Sequence, residues 1–156
     1  MIKPVLLTVS YVLVAAVGFI AGVYVLPIIV EPPAPSMADL QMHADGARFT
    51  GTFRRDLPGS DFLHWGEGTF AVGPTAVSMR GELAPGPDYK VYLSPEPVAT
   101  AAEFQAVKAR AVALGDVRSF HGFVISVPPP VAVEQYVSVV IWCETFEKFI
   151  TAARYR

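Results

Sequence analysis

Tyr136-Val137-Ser138-Val139-Val140-Ile141-Trp142-Cys143 carries the clearest strand signal in the chain. β-Branched and aromatic residues fill it, neither glycine nor proline interrupts it, and it has the length of a strand. Alternation sends Val137, Val139, Ile141 and Cys143 to one face and Tyr136, Ser138, Val140 and Trp142 to the other. Both faces are largely apolar, so a central strand covered on each side is expected. Val139 belongs to the wholly apolar face, and a charge is expected to be far more damaging there than at Ser138. The chain's single cysteine closes the stretch, where core meets rim.

Outward from this strand the chain reads as short strands separated by turns. Arg48 to Arg54 alternates, with Phe49 and Phe53 inward. Glu67 to Val72 and Thr75 to Arg80 flank Gly73-Pro74 as a hairpin. Pro85-Gly86-Pro87-Asp88 is a turn that leads into a strand whose inward set is Tyr89, Val91 and Leu93. Phe120 to Val127 is a strand stopped by Pro128-Pro129-Pro130. One segment breaks the rhythm. Thr100-Ala101-Ala102-Glu103 is a capping box followed by Phe104 and Val107, which predicts a short helix near Thr100 to Lys108. Ala109 to Val117 could continue it or form a strand. About seven strands with such frequent turns predict a mainly β protein, an antiparallel β-sandwich or jelly-roll-like domain with one short helix, over residues 46–156.

The N-terminal part differs sharply. Val5 to Val30 contains no charged residue, and as a helix Val5 to Leu26 would span ~33 Å, enough for a bilayer's hydrocarbon core. The run exceeds the apolar region of a secretory signal, and no clear small-residue cleavage site follows it. Residues 1–30 are therefore expected to be an uncleaved transmembrane helix, with a cleaved signal as the plainer alternative. Lys3 precedes the run and the next basic residue is Arg48, which puts the N-terminus in the cytoplasm and the domain in the periplasm or outside the cell. Glu31-Pro32-Pro33-Ala34-Pro35-Ser36 reads as a proline-rich stalk holding the body away from the bilayer. With Met37 to Asp45 as a connector, it makes up residues 31–45. The membrane is thus one expected partner, and an envelope protein or redox partner another.

The chain has 156 residues, of which 53% are hydrophobic. All 14 acidic residues and eleven of the 12 basic ones lie from Glu31 onward, so the body is mildly acidic. It lacks the basic patch that nucleic-acid binding requires. One cysteine permits no intramolecular disulfide.

Cys143 is the leading candidate for chemistry, as a thiol that is oxidised, exchanges disulfides or ligates a metal. Its neighbours Glu144 and Glu147 disfavour a thiolate, and the plainer account is a buried cysteine packing as a small hydrophobe. His64, beside Trp65 at a loop or strand start, is the better of the candidate ligand-binding histidines. Trp65, Tyr92 and Trp142 could form an aromatic platform for a ligand, though half-buried sheet packing is the commoner role. His121 shares its predicted strand face with Phe123, Ile125 and Val127, as a core or rim histidine would. No metal site is read: a mononuclear copper centre would want a histidine or methionine soon after Cys143. A C-x-x-C-H motif for covalent haem is missing, and non-covalent haem on His64 or Met79 is left as an unassigned alternative, so the cofactor is unknown. Dinucleotide, phosphate-loop, nucleophile-elbow and zinc-protease motifs are also missing.

Taken in order, Phe53, His64-Trp65-Gly66-Glu67-Gly68-Thr69, Gly86 to Ser94, Leu114-Gly115-Asp116-Val117, and Val139 to Cys143 followed by Phe146, Phe149 and Ala152-Ala153 form a pattern. It resembles the DM13 domain family over roughly residues 46–155. No single piece is specific, but the ordered set is. The resemblance implies a small β-rich extracytoplasmic module, often beside electron-transfer domains, whose lone cysteine is proposed to be redox-active.

Overall fold

The computed structural model describes residues 2–156. Strand β7 (Ser138–Cys143) lies inside a four-stranded antiparallel sheet. Its neighbours there are β4 (Tyr89–Ser94) and β8 (Lys148–Arg154), and β5 (Val112–Val117) completes the sheet beyond β4. The facing sheet runs in the order β1 (Phe49–Phe53), β2 (Gly66–Val72), β3 (Ala76–Leu83) and β6 (Phe123–Ser126). β1 lies against β8 and β5 against β6, which brings the two sheets together at both margins. The expected antiparallel sandwich is present, with eight strands.

Every residue of β7 is buried. Val139, Ile141 and Cys143 join Tyr89, Val91 and Leu93 of β4 in the core between the sheets. Val140 and Trp142 face the other way, into a second core roofed by helix α3 (Ala101–Val107) through Phe104 and Val107. That helix forms for the expected reason. Thr100 Oγ1 accepts from the Glu103 amide at 3.3 Å, and the Glu103 carboxylate accepts from the Ala99 amide at 2.7 Å. A 3₁₀ turn at Lys108–Arg110 ends it, and the ambiguous segment after it becomes β5.

Three expectations need correction. The alternation holds only from Ser138, because a 3₁₀ turn at Val133–Gln135 precedes the strand and Tyr136 packs against the inter-sheet core. Ser138, 1% exposed, is as deeply buried as Val139. The strand expected over Phe120–Val127 shrinks to β6, since Gly122 takes φ +123° and leaves His121 outside the ladder. Met37–Asp45 is helix α2, capped by Ser36, whose Oγ accepts from the Asp39 amide at 3.1 Å. It lays Leu40 on the outer face of the facing sheet, against β3.

Helix α1 (Ile2–Ile29) is long and apolar enough to cross a membrane, with mean hydropathy 2.6 in its most apolar window and none of that window buried. The proline-rich segment after it lies along the domain. Glu31 Oε1 accepts from the Phe120 amide at 2.7 Å and from Ser119 Oγ at 2.9 Å, and sits 3.0 Å from His121 Nδ1. This tie fixes where α1 leaves the sandwich.

Candidate thiol site at the rim of the sandwich

Cys143 ends β7 opposite Tyr89, the first residue of β4, and opposite Lys148, the first residue of β8. The side chain is 2% exposed, and Sγ–H donates to the Pro87 carbonyl at 3.2 Å. Beside it lies a cavity of about 170 Å³. Leu63, His64, Tyr89 and Phe146 of the domain line it, and Ile20, Val23 and Tyr24 of α1 close its other side. The cavity exists because three unrelated segments end at this pole: the loop before β2, the turn before β4 and the β7–β8 turn.

Burial pushes the Cys143 thiol up, and the carboxylates of Asp88 and Glu144 add to this, while the backbone amides of Phe146 and Thr145 pull the other way. The thiol is therefore the resting form at neutral pH. Burial likewise raises the Tyr89 phenol, so Tyr89 stands at the cavity as a neutral hydroxyl.

His64 is held by Asp61. The carboxylate lies 2.9 Å from Nδ1 and accepts from the amides of Leu63 and His64 at 2.8 Å each. Those bonds hold Asp61 below the usual carboxylate value against the opposing effect of its partial burial. With Nδ1–H donated to Asp61, Nε2 is left as the basic nitrogen of the ring.

The structure brings Cys143 and His64 to one cavity and leaves the other candidates elsewhere. Trp65 stacks under Arg55, whose Cζ lies 3.3 Å from the ring centroid. Trp142, fully buried, packs 5.1 Å from Phe104 beneath α3, on the sheet face opposite to Cys143. Tyr92 is buried with it, so no surface platform of Trp65, Tyr92 and Trp142 forms. Adjacent strand positions point to opposite faces, and the two sides of this sheet meet different layers. Met79 sits in the inter-sheet core, 1% exposed, and cannot share a ligand with His64 at the cavity. His121 is an exposed partner of Glu31. Among the described residues, no group of three His, Cys, Asp or Glu side chains converges.

Two groupings escaped sequence reasoning. One is the Glu31–Ser119–His121 tie. The other joins Tyr92, whose hydroxyl donates to Glu144, with Lys108, whose Nζ lies 2.6 Å from Glu144 Oε2. Lys108 also lies 5.3 Å from the Trp142 ring centroid. Nothing local marks either grouping, because each joins residues dozens of positions apart. The alternation that places Glu144 just past the buried strand was the one available hint.

No curated protein and no solved structure matches the chain. A family model described as "Electron transfer DM13" matches residues 57–155, which include all of the sandwich except β1. With most of the chain under that match and Cys143 at the end of its central strand, the chain belongs to the DM13 family.

Proposed function

We propose that this protein is a membrane-anchored, extracytoplasmic accessory of electron transfer in which Cys143 changes oxidation state. One observation carries the reading: the lone thiol ends the central strand beside a cavity that it shares with His64. Membership of a family described as electron transfer supports it. The anchor is α1, and Lys3 in its first turn, with no further basic residue until Arg48, favours a cytoplasmic N-terminus. The partner is a redox protein or another envelope protein.

The local chemistry can be written out. His64, which shares the cavity and has Asp61 on Nδ1, is assigned as the base that takes the thiol proton once it leaves the Pro87 carbonyl. With a peroxide as oxidant, the thiolate sulfur attacks one oxygen and the O–O bond breaks. Hydroxide leaves with the electron pair and Cys143 becomes a sulfenic acid. A small thiol reverses this in two steps, first forming a mixed disulfide and water, then releasing the cysteine by thiol exchange.

The test exposes the detergent-solubilised full chain to dilute hydrogen peroxide and maps added oxygen by mass spectrometry. Oxidation at Cys143 that a thiol reverses, and that slows by ~10²-fold in His64→Ala, is the expected result. A Cys143 that stays unmodified until the chain is unfolded overturns it. The second reading would then stand, a non-enzymatic envelope binding or structural module with an inert cysteine. The thiol's burial and its hydrogen bond to Pro87 favour that second reading.

A further inference from the structure

The pole of the sandwich that carries Cys143 also carries three large apolar side chains left partly or wholly exposed. Phe62 is 85% exposed, Leu63 40% and Phe146 47%. Phe62 and Leu63 form the tip of the loop before β2, and Phe146 the tip of the β7–β8 turn. Leu63 and Phe146 line the same cavity as Ile20, Val23 and Tyr24 of α1. The exposed tips and the apolar helix therefore meet at one place.

Where that place lies relative to a bilayer follows from lengths. A charged lysine is excluded from the hydrocarbon, so the inner boundary falls near Lys3. At 1.5 Å per residue, a core ~30 Å thick is crossed in ~20 residues, which puts the outer boundary near Val23. Tyr24 is then at the depth where amphipathic aromatic rings collect. The apolar run continues through Val30, so any tilt of α1 draws Ile20 to Tyr24 deeper. The domain cannot swing freely away from this level, because Glu31 bonds the segment just beyond α1 to Ser119, Phe120 and His121.

We propose that Phe62, Leu63 and Phe146 form a membrane-insertion rim that sits in the interfacial layer of the bilayer crossed by α1, with the Cys143 cavity opening at that layer. The inference rests on the anchor reading of α1. The chemistry of the rim suits an uncharged lipid surface. Asp61 is engaged by His64, and Glu147 and Lys148 follow Phe146 with opposite signs. Apolar loop tips gain by leaving water at such a surface, and the anchor already holds them there. The occupant of the apolar rim is therefore lipid, and an oxidant or reductant dissolved in the membrane would meet Cys143 from that side.

The test places a tryptophan at Phe62 in the full chain, reconstituted into phosphatidylcholine vesicles whose acyl chains are brominated near the headgroup. Phe62 is almost wholly exposed, so Phe62→Trp leaves the packing alone. Pro74→Trp, in the β2–β3 turn at the opposite end of β2, is the control. The expected result is that the brominated chains quench the Phe62→Trp signal above wild type, as they would a ring at the interface, while the Pro74→Trp signal is unchanged. Two outcomes with vesicle-bound protein overturn the rim and leave the anchor standing: no quenching at position 62, or equal quenching at both positions. A full chain that does not enter the vesicles overturns the anchor and the rim together.

Discussion

Ser138 and Trp142 are buried on the same face of β7, and neither Ser138 Oγ nor Trp142 Nε1 has a hydrogen-bond partner among the described residues. An unpaired buried hydroxyl costs about 1–3 kcal/mol. Ser138→Ala should therefore leave the denaturant midpoint unchanged or raise it, an unusual outcome for a fully buried position. A carboxylate is another matter. Alternation alone made Ser138 the tolerant neighbour of Val139, but both are enclosed, one by each core. Ser138→Asp and Val139→Asp should each remove several kcal/mol from a domain held by about 5–15 kcal/mol, with midpoints lowered alike. A tolerant Ser138→Asp would mean that this end of the face opens to water.

Elements meet most tightly where β2 and β3 cross at Gly68 and Gly81, which are register partners. Gly68 takes φ +135°, a value that side chains disfavour, and a Cβ added there would lie 2.4 Å from the Arg80 carbonyl oxygen. Gly68→Ala should cost about 3 kcal/mol or more, through backbone strain and a clash that no rotamer relieves. Gly73, in the turn joining the same strands, has nothing nearer than 3.4 Å to an added Cβ. Gly73→Ala should stay within about 1 kcal/mol of wild type. Chemical denaturation of both variants checks the pair, and equal losses would remove the argument for a tight crossing. The same sheet geometry explains why β8 was not foreseen. Ala152-Ala153 has weak strand character by itself, and β8 runs on through it because β7 supplies a partner, with one extra residue at Ile150 bulged out.

At the scale of the whole molecule, the Glu31 tie decides how helix and sandwich are joined, and it depends on pH. The hydrogen bond that His121 donates to Glu31 raises the imidazole, against a smaller opposing effect of burial. Burial would raise Glu31, but the bonds from His121, Phe120 and Ser119 outweigh it and the carboxyl is lowered. A raised histidine contributes fully below its unfolded value of 6.5 and loses that contribution as pH climbs through its folded value. A lowered carboxylate contributes fully above its unfolded value of 4.5 and loses it as pH falls through its folded value. The tie is thus strongest between about pH 4.5 and 6.5 and loosens on either side. Hydrogen-exchange protection of the Phe120 amide, corrected for intrinsic rate, should peak in that window. In Glu31→Gln the peak should flatten. A pH-independent protection factor in the wild type would show that the tie is not made.

The sequence by itself determined what depends on near neighbours along the chain. Two apolar faces on one uninterrupted strand required a covered sheet, Tyr89, Val91 and Leu93 alternated into the core, Thr100 and Glu103 started α3, and an uncharged run made α1. These are properties of period and capping, set within a few residues by backbone geometry. Tertiary structure decided what depends on which distant surfaces meet. It put His64 beside the Cys143 cavity, Met79 into the core, Trp142 under α3, and Glu31 onto a loop some ninety positions away. No local pattern records such meetings. They follow from stacking one sheet on another, which brings together chain segments that share nothing except the space left at one end of the sandwich.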